Sequence, residues 1–284
     1  MRPGRQIIFY AATTILVVGC IACSVSAAPR VQEAAEYIAI PAGAITSVLA
    51  NDDEPGAVLI GAFSLRATPV TNIEFLAFVE THREWQRGRV PATFADASYL
   101  NRWSGATMPG DTMRLQEPVT SVSWFAAQAF CENENARLPT WREWEYVAAA
   151  DETKLDARGD PAWRARILSW YSQPTTARIG SVGGVANAYG VRNMHGLVWE
   201  WVDDFNALLI NADSRNQGDP DKLQFCGAGA ISLKDRDNYA VLMRIALLSS
   251  LRAADTTNNL GFRCAREPTT YSLAIPKPSK KERP

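Results

Sequence analysis

From residue 174 onward the chain is dominated by Gly, Asn and Asp set between short apolar runs. Residues 86–118 add several Gly and Pro with little periodicity, which reads as a long irregular loop. Around these stretches the regular elements are short. Tyr37-Ile38-Ala39-Ile40 reads as a strand entering the turn Pro41-Ala42-Gly43, and residues 57–65 as a further strand. Ile73, Leu76, Ala77 and Phe78 recur at helical spacing, which predicts a helix over about 72–79 with Thr71 as its N-cap. A second helix is predicted over 123–133, capped by Ser123, with Phe125, Ala129 and Phe130 inside. Arg137-Leu138-Pro139-Thr140 breaks it, and Thr140 caps a third that runs through Trp144 to Ala150. Pro161 opens a fourth, at the first-turn position where its missing N–H costs nothing. No internal repeat is visible. The pattern predicts an α+β domain with much irregular structure.

A chain of 284 residues, 47% hydrophobic and carrying nine Trp, can bury a substantial core in one large domain or two small ones. A formal net charge of −1 argues against a nucleic-acid partner, because phosphate binding rests on a concentrated basic field. The basic run Lys280, Lys281 and Arg283 lies in a Pro-rich terminus, so residues 269–284 read as a flexible basic tail.

The N-terminus sets the compartment. Arg2 and Arg5 precede an uncharged, mostly apolar run over residues 7–23, followed by Ser24-Val25-Ser26-Ala27-Ala28. That order is a secretory signal, with cleavage expected after Ala27. Two alternatives stand beside it. Val17-Val18-Gly19-Cys20 resembles a lipobox that leaves Cys20 as a lipid anchor, and an uncut apolar run is a membrane anchor. All three place the folded part outside the cytoplasm, and the periplasm is the expected location. Cys131, Cys226 and Cys264 then form the body's thiol set, enough for one disulfide and one leftover. Spacing does not choose the pair.

Pro69-Val70-Thr71-Asn72 with Phe75-Leu76-Ala77-Phe78 is followed by Pro118-Val119-Thr120-Ser121-Val122-Ser123-Trp124. Ala129-Phe130-Cys131 then leads through Arg137-Leu138-Pro139-Thr140 to Glu143-Trp144-Glu145-Tyr146. Asn187-Ala188-Tyr189-Gly190, Gly196-Leu197-Val198-Trp199-Glu200-Trp201 and the closing Asn259-Leu260-Gly261-Phe262-Arg263-Cys264 complete the series. In this order the blocks resemble the formylglycine-generating, or sulfatase-modifying, superfamily over residues 36–268. The resemblance implies a single domain of C-type-lectin-like fold, with a small twisted sheet and two or three helices. It also implies a Cys131–Cys264 disulfide, leaving Cys226 unpaired.

Against the family pattern, this chain departs at the metal. Formylglycine generators bind copper through two cysteines upstream of the final block, positions that fall here near Asp235 and Ala240. The ergothioneine-type branch holds iron with three histidines, whereas this chain has His82 and His195. Neither copper nor haem is expected. Asn187-Ala188-Tyr189-Gly190-Val191, His195-Gly196-Leu197-Val198-Trp199-Glu200-Trp201-Val202 and Phe225-Cys226-Gly227-Ala228-Gly229-Ala230 look most like the PvdO and NirV branch. That likeness implies oxidative tailoring of a pyoverdine-type siderophore precursor. The alternative it leaves open is a non-catalytic accessory role beside copper nitrite reductase. The partner is thus a siderophore precursor or a periplasmic enzyme.

Each candidate residue has two readings. His195 suits general acid–base chemistry, or it satisfies backbone groups in a partly buried setting. Glu200, between two tryptophans, is a candidate acid or a structural carboxylate. Cys226 is a redox or nucleophilic thiol, or a small buried hydrophobe. Arg244, a charge in an apolar, strand-like run, either pairs with a buried carboxylate or binds an anionic substrate group. Trp199, Trp201 and Asp203 are candidate substrate contacts, the tryptophans by stacking. Asp213, Asn216, Asp219 and Asp221 around Gly218 offer hard oxygen donors for a structural calcium. No Gly-x-Gly-x-x-Gly nucleotide motif is present.

Overall fold

Thr71, Ser123 and Thr140 each cap a helix in the computed structural model, which describes residues 35–47, 57–110, 114–173, 179–208 and 239–268. Helix α1, Asn72–Thr81, starts with a capping box in which Thr71 and Glu74 satisfy each other's backbone amides. Helix α2, Trp124–Asn133, is capped by Ser123, and α3, Trp141–Ala148, by a Thr140–Glu143 box. Helix α4, Pro161–Tyr171, has Asp160 as N-cap and Pro161 in its first turn. Helix α5 is Tyr239–Ser249.

The strands are short. β1, Tyr37–Ile40, pairs antiparallel with β4, Phe63–Arg66, which pairs antiparallel with β7, Ala265–Arg266. β2, Gly43–Ile45, pairs with β3, Val58–Ile60. β5, Trp199–Glu200, runs parallel to β6, Leu260–Gly261. Residues 86–118 contain neither α-helix nor named strand among those described. The leader, the tail, Cys226 and the proposed calcium ligands Asp213, Asn216, Asp219 and Asp221 lie outside the described residues.

Three expectations are corrected. Residues 57–65 hold parts of two strands, because β3 and β4 belong to different sheets and residues 61–62 between them are in neither. The run holding Arg244 is helix α5, with Val241, Ile245 and Leu248 buried and Met243 exposed. The described residues hold five α-helices rather than two or three.

A main core joins most of these elements, and a second, smaller cluster of Ala157, Trp163, Ile167 and Ala240 lies between α4 and α5. Phe75 of α1, Phe130 of α2 and Phe262 meet ring to ring, while Trp141 and Trp144 of α3 and Trp201, next to β5, are buried. Each such aromatic contributes on the order of 1.5–3 kcal/mol by leaving water. Cys131 of α2 and Cys264, next to β7, form a disulfide that closes a separation of 133 residues. Gly261 permits the close crossing of β6 over residue 119, since a Cβ there would lie 2.5 Å from the Val119 carbonyl oxygen.

Candidate functional site

The last carbonyls of a helix have no partner within it, and at the end of α3 side chains from the loop 187–196 take two of them. The Val147 carbonyl accepts from Asn187 Nδ2 at 2.9 Å, and the Ala148 carbonyl from His195 Nε2 at 3.0 Å. Asn187 Oδ1 shapes the same loop by accepting from the amides of Tyr189 at 3.1 Å and Val191 at 3.0 Å. Asn193 and Gly196 have φ of 57° and 99°, a region that glycine enters without a Cβ penalty. His195 is therefore held in a tight turn and anchored at its far ring nitrogen.

Opposite this loop stands α4. Trp163, Ile167 and Trp170 recur along one of its faces and wall a cleft of ≈ 260 Å³, closed on the other side by Val191, Met194 and His195. Asp151, Glu152 and Arg166 also line it. Arg166 holds Glu152 through a forked pair at 2.9 and 3.1 Å, which keeps that carboxyl below its usual range.

The His195 ring is edge-on to Trp144, Trp163 and Tyr171, with centroids 5.5, 5.7 and 6.3 Å away. This burial lowers the imidazole to about 4, and the charges of Arg244, Arg166 and Arg263 act in the same direction. At neutral pH the ring is uncharged, which makes it a weaker base than an ordinary histidine. Tyr171 continues the aromatic surface to Trp199 at 4.7 Å, and Trp170 packs on both. Burial also pushes the Tyr171 phenol upward.

Glu200 and Arg263 lie directly behind. Both are fully buried, and Arg263 grips the carboxylate with Nη2 at 2.8 Å and Nε at 2.9 Å. Trp144 Nε1 donates to Glu200 Oε2 at 2.8 Å. Arg263 Nη2 also reaches the carbonyls of Arg192 and Asn193, each at 3.1 Å, and so ties the turn bearing His195 to β5. Arg244 is buried as well. It donates through Nη2 to the Glu200 carbonyl and lies 3.7 Å from the Trp144 ring centroid, while its Nε has no partner. Burial pulls the guanidinium down to about 10.

The candidates thus separate. His195 reaches the cleft, Trp199 is half-buried beside it, and Arg244 lies deeper. Glu200 is corrected to a structural carboxylate, because it has no exposed surface and its oxygens are engaged by Arg263 and Trp144. Among the described residues Arg244 forms no salt bridge with a buried carboxylate; at Glu200 it meets the main-chain oxygen. Trp201 is corrected likewise: it is fully buried, with Nε1 on the Val122 carbonyl at 2.9 Å. Asp203 is an exposed charge outside the cleft lining, while Asp204 accepts from the Trp141 amide at 2.7 Å at the start of α3. The residues that sequence reasoning missed are those of α4. Trp163, Ile167 and Trp170 stand at helical i, i+4, i+7 spacing, a signal that was available once Pro161 marked the helix start.

Neither family metal fits the side chains present. Of the two upstream cysteine positions, Ala240 is a buried residue of α5 and Asp235 lies outside the described residues. Cys131 and Cys264 are consumed in the disulfide, and the chain's two histidines cannot make a three-imidazole site. Among the described residues no three His, Cys, Asp or Glu side chains come together as a metal site.

Residues 23–268 match the family described as the sulfatase-modifying factor enzyme 1-like domain. The formylglycine-generating enzyme of Streptomyces coelicolor is 30% identical over 254 residues, covering 74% of this chain and 80% of its own length. Hercynine oxygenase of Mycolicibacterium thermoresistibile is 32% identical over 181 residues, which span 54% of this chain and 38% of that relative. Among solved structures, PvdO from Pseudomonas aeruginosa aligns with a TM-score of 0.44 and 16% identity, over 82% of this chain and 94% of that one. The mixed helix-and-sheet domain is the fold of this family, and the chain belongs to the sulfatase-modifying factor enzyme 1-like family.

Proposed function

We propose that the protein is an exported tailoring enzyme, resembling PvdO, that oxidises the planar chromophore precursor of a pyoverdine-type siderophore. The observation that carries this reading is the cleft between α4 and the 187–196 loop, walled by Trp163 and Trp170 and floored by His195. Indole faces hold a flat ring by stacking and by removing its apolar surface from water, and ≈ 260 Å³ suits a compact ring system better than an extended peptide. The Cys131–Cys264 disulfide and the N-terminal signal are consistent with an oxidising compartment outside the cytoplasm.

Oxidation of a dihydro chromophore removes two hydrogens, and dioxygen taking them up gives hydrogen peroxide. No step is assigned to copper or to iron, since the side chains fit neither. The part played by the protein is to hold the ring against Trp163 and Trp170, close to the neutral imidazole of His195. The test is mass spectrometry of dihydropyoverdine incubated in air with the mature protein, with peroxide measured alongside. The expected result is a two-hydrogen mass loss that requires the protein and falls in a Trp163→Ala variant. An unchanged substrate, with the protein shown folded, removes this reading and favours the accessory role beside copper nitrite reductase.

A further inference from the structure

We infer that Arg166 sets the ligand class of this cleft: it selects a flat compound with a carboxylate on the edge of its ring, and Glu152 holds the guanidinium until that carboxylate arrives. The inference rests on the cleft being the binding site argued above. Trp163, Arg166, Ile167 and Trp170 all line the cleft from α4. Arg166 stands three residues after one indole and four before the other, spacings that share a helix face. A ring stacked on either indole brings its edge within reach of the guanidinium. Unlike the buried groups behind it, Arg166 is open to solvent, its side chain 55% exposed and that of Glu152 42%.

The guanidinium is already matched to a carboxylate, because Nη1 and Nη2 donate to the two oxygens of Glu152 at 2.9 and 3.1 Å. A ligand carboxylate that replaces Glu152 remakes this fork. An ion pair so exposed contributes little to stability, so exchanging one carboxylate for another costs little and returns Glu152 to water. The ligand adds what Glu152 lacks, an apolar ring laid against Trp163 or Trp170. The other charges select the sign. Asp151, also on the cleft, spends Oδ1 on the amides of Thr153 and Lys154 at 2.7 and 2.6 Å and on the Thr153 hydroxyl at 3.0 Å. At the cleft floor the guanidinium groups of Arg244, Arg166 and Arg263 all act on the His195 ring. Glu200 offsets Arg263, to which it is joined, while Arg244 has no salt bridge among the described residues. A positive field follows, which favours a carboxylate and opposes an ammonium group. A cavity of about 150 Å³ already holds benzene, so ≈ 260 Å³ admits two fused rings.

Two probes test this: 2-naphthoate and 2-naphthamide, alike in shape but differing in charge. Each is titrated by calorimetry at neutral pH into the unsubstituted protein, Glu152→Gln, Arg166→Gln and the double variant. The unsubstituted protein is expected to bind the acid about tenfold more tightly than the amide, the ratio that about 1.4 kcal/mol supplies. Glu152→Gln frees the guanidinium and should widen that ratio. Arg166→Gln leaves Glu152 unpaired at the rim and should reverse the preference, and the double variant should bring the two probes to parity. The amide should bind all of these proteins alike, which separates loss of charge recognition from loss of the cleft. Equal affinity of the two probes for the unsubstituted protein, or a preference for the acid that survives Arg166→Gln, overturns the inference and leaves the cleft reading standing. Failure of both probes to bind overturns the cleft reading and the inference with it. If Arg166→Gln does not fold, the ratio in Glu152→Gln decides.

Discussion

Replacing Glu200 with Ala separates a structural carboxylate from a catalytic one. Glu200 and Arg263 are both fully buried, joined at 2.8 and 2.9 Å, and Trp144 Nε1 donates to the same carboxylate at 2.8 Å. Removing the carboxylate strands a buried guanidinium, at a cost of about 3–5 kcal/mol, and leaves an indole N–H unpaired, at about 1–3 kcal/mol. The two costs overlap, because Arg263 keeps its bonds to the carbonyls of Arg66, Arg192 and Asn193. A net loss of about 4 kcal/mol follows. With a urea slope of about 2–3 kcal/mol per molar, the unfolding midpoint falls by about 1.3–2 M, read from Trp fluorescence. The double variant Glu200→Ala, Arg263→Met should lose less than the sum of the singles, since their energies are coupled. A midpoint shift equivalent to less than about 1 kcal/mol, together with abolished turnover, would refute the reasoning and return Glu200 to the chemistry.

Reducing the Cys131–Cys264 bond, or replacing both cysteines with Ala, should cost about 5 kcal/mol for a separation of 133 residues; non-reducing peptide mapping that instead links Cys226 sinks the pairing. His195 has a folded-state pKa of about 4, below the ordinary value near 6.5. The unfolded chain therefore binds more protons between those limits, and stability falls as pH drops from about 6.5 to 4, by at most ~1.4 kcal/mol per unit. His195→Phe should flatten that part of the stability curve, and an unchanged curve would count against the buried neutral ring. Gly261→Ala drives a methyl to 2.5 Å from the Val119 carbonyl oxygen, so a loss of about 1–3 kcal/mol is expected, checked by thermal melting.

What the sequence shows and what it hides divide along physical lines. Caps are local: Thr71, Ser123, Thr140 and Pro161 mark helix starts because their partners lie within a turn. The Arg244 segment reads as a strand because Tyr239-Ala240-Val241-Leu242-Met243 and Ile245-Ala246-Leu247-Leu248 are apolar on every side, so no helical period shows. A fully apolar run that short reads equally as strand or helix, and the neighbours Trp144 and Glu200 that stand against it are remote in sequence. The site divides the same way. His195 stands out as a rare residue beside a glycine, but the Ala148 carbonyl that fixes its tautomer lies 47 positions away. Glu200 and Trp201 drew attention as a charge among tryptophans, yet burial depends on Arg263 and Val122, which only the fold brings near. The α4 wall was legible in spacing but not in purpose, because nothing within residues 161–171 says what faces it.

Arg244 raises the opposite question from Glu200. It is buried with no salt bridge among the described residues, and it is supported by one carbonyl oxygen, the face of Trp144 and, at 5.8 Å, the ring of Trp141. A charged hydrogen bond contributes about 1.5–3 kcal/mol and a desolvated cation–π contact about 2 kcal/mol. Desolvating the guanidinium costs several kcal/mol, so the balance is near zero. Arg244→Met retains an apolar stem against Trp144 and relieves the desolvation, and its urea midpoint should match the unsubstituted protein within about 1 kcal/mol or rise above it. The same variant removes a positive charge that acts on both His195 and Tyr171, so the imidazole should titrate at higher pH than in the unsubstituted protein. A midpoint loss as large as that of Glu200→Ala would make Arg244 part of the scaffold. An unchanged midpoint with a raised His195 titration would show that its charge tunes the cleft at no net gain in stability.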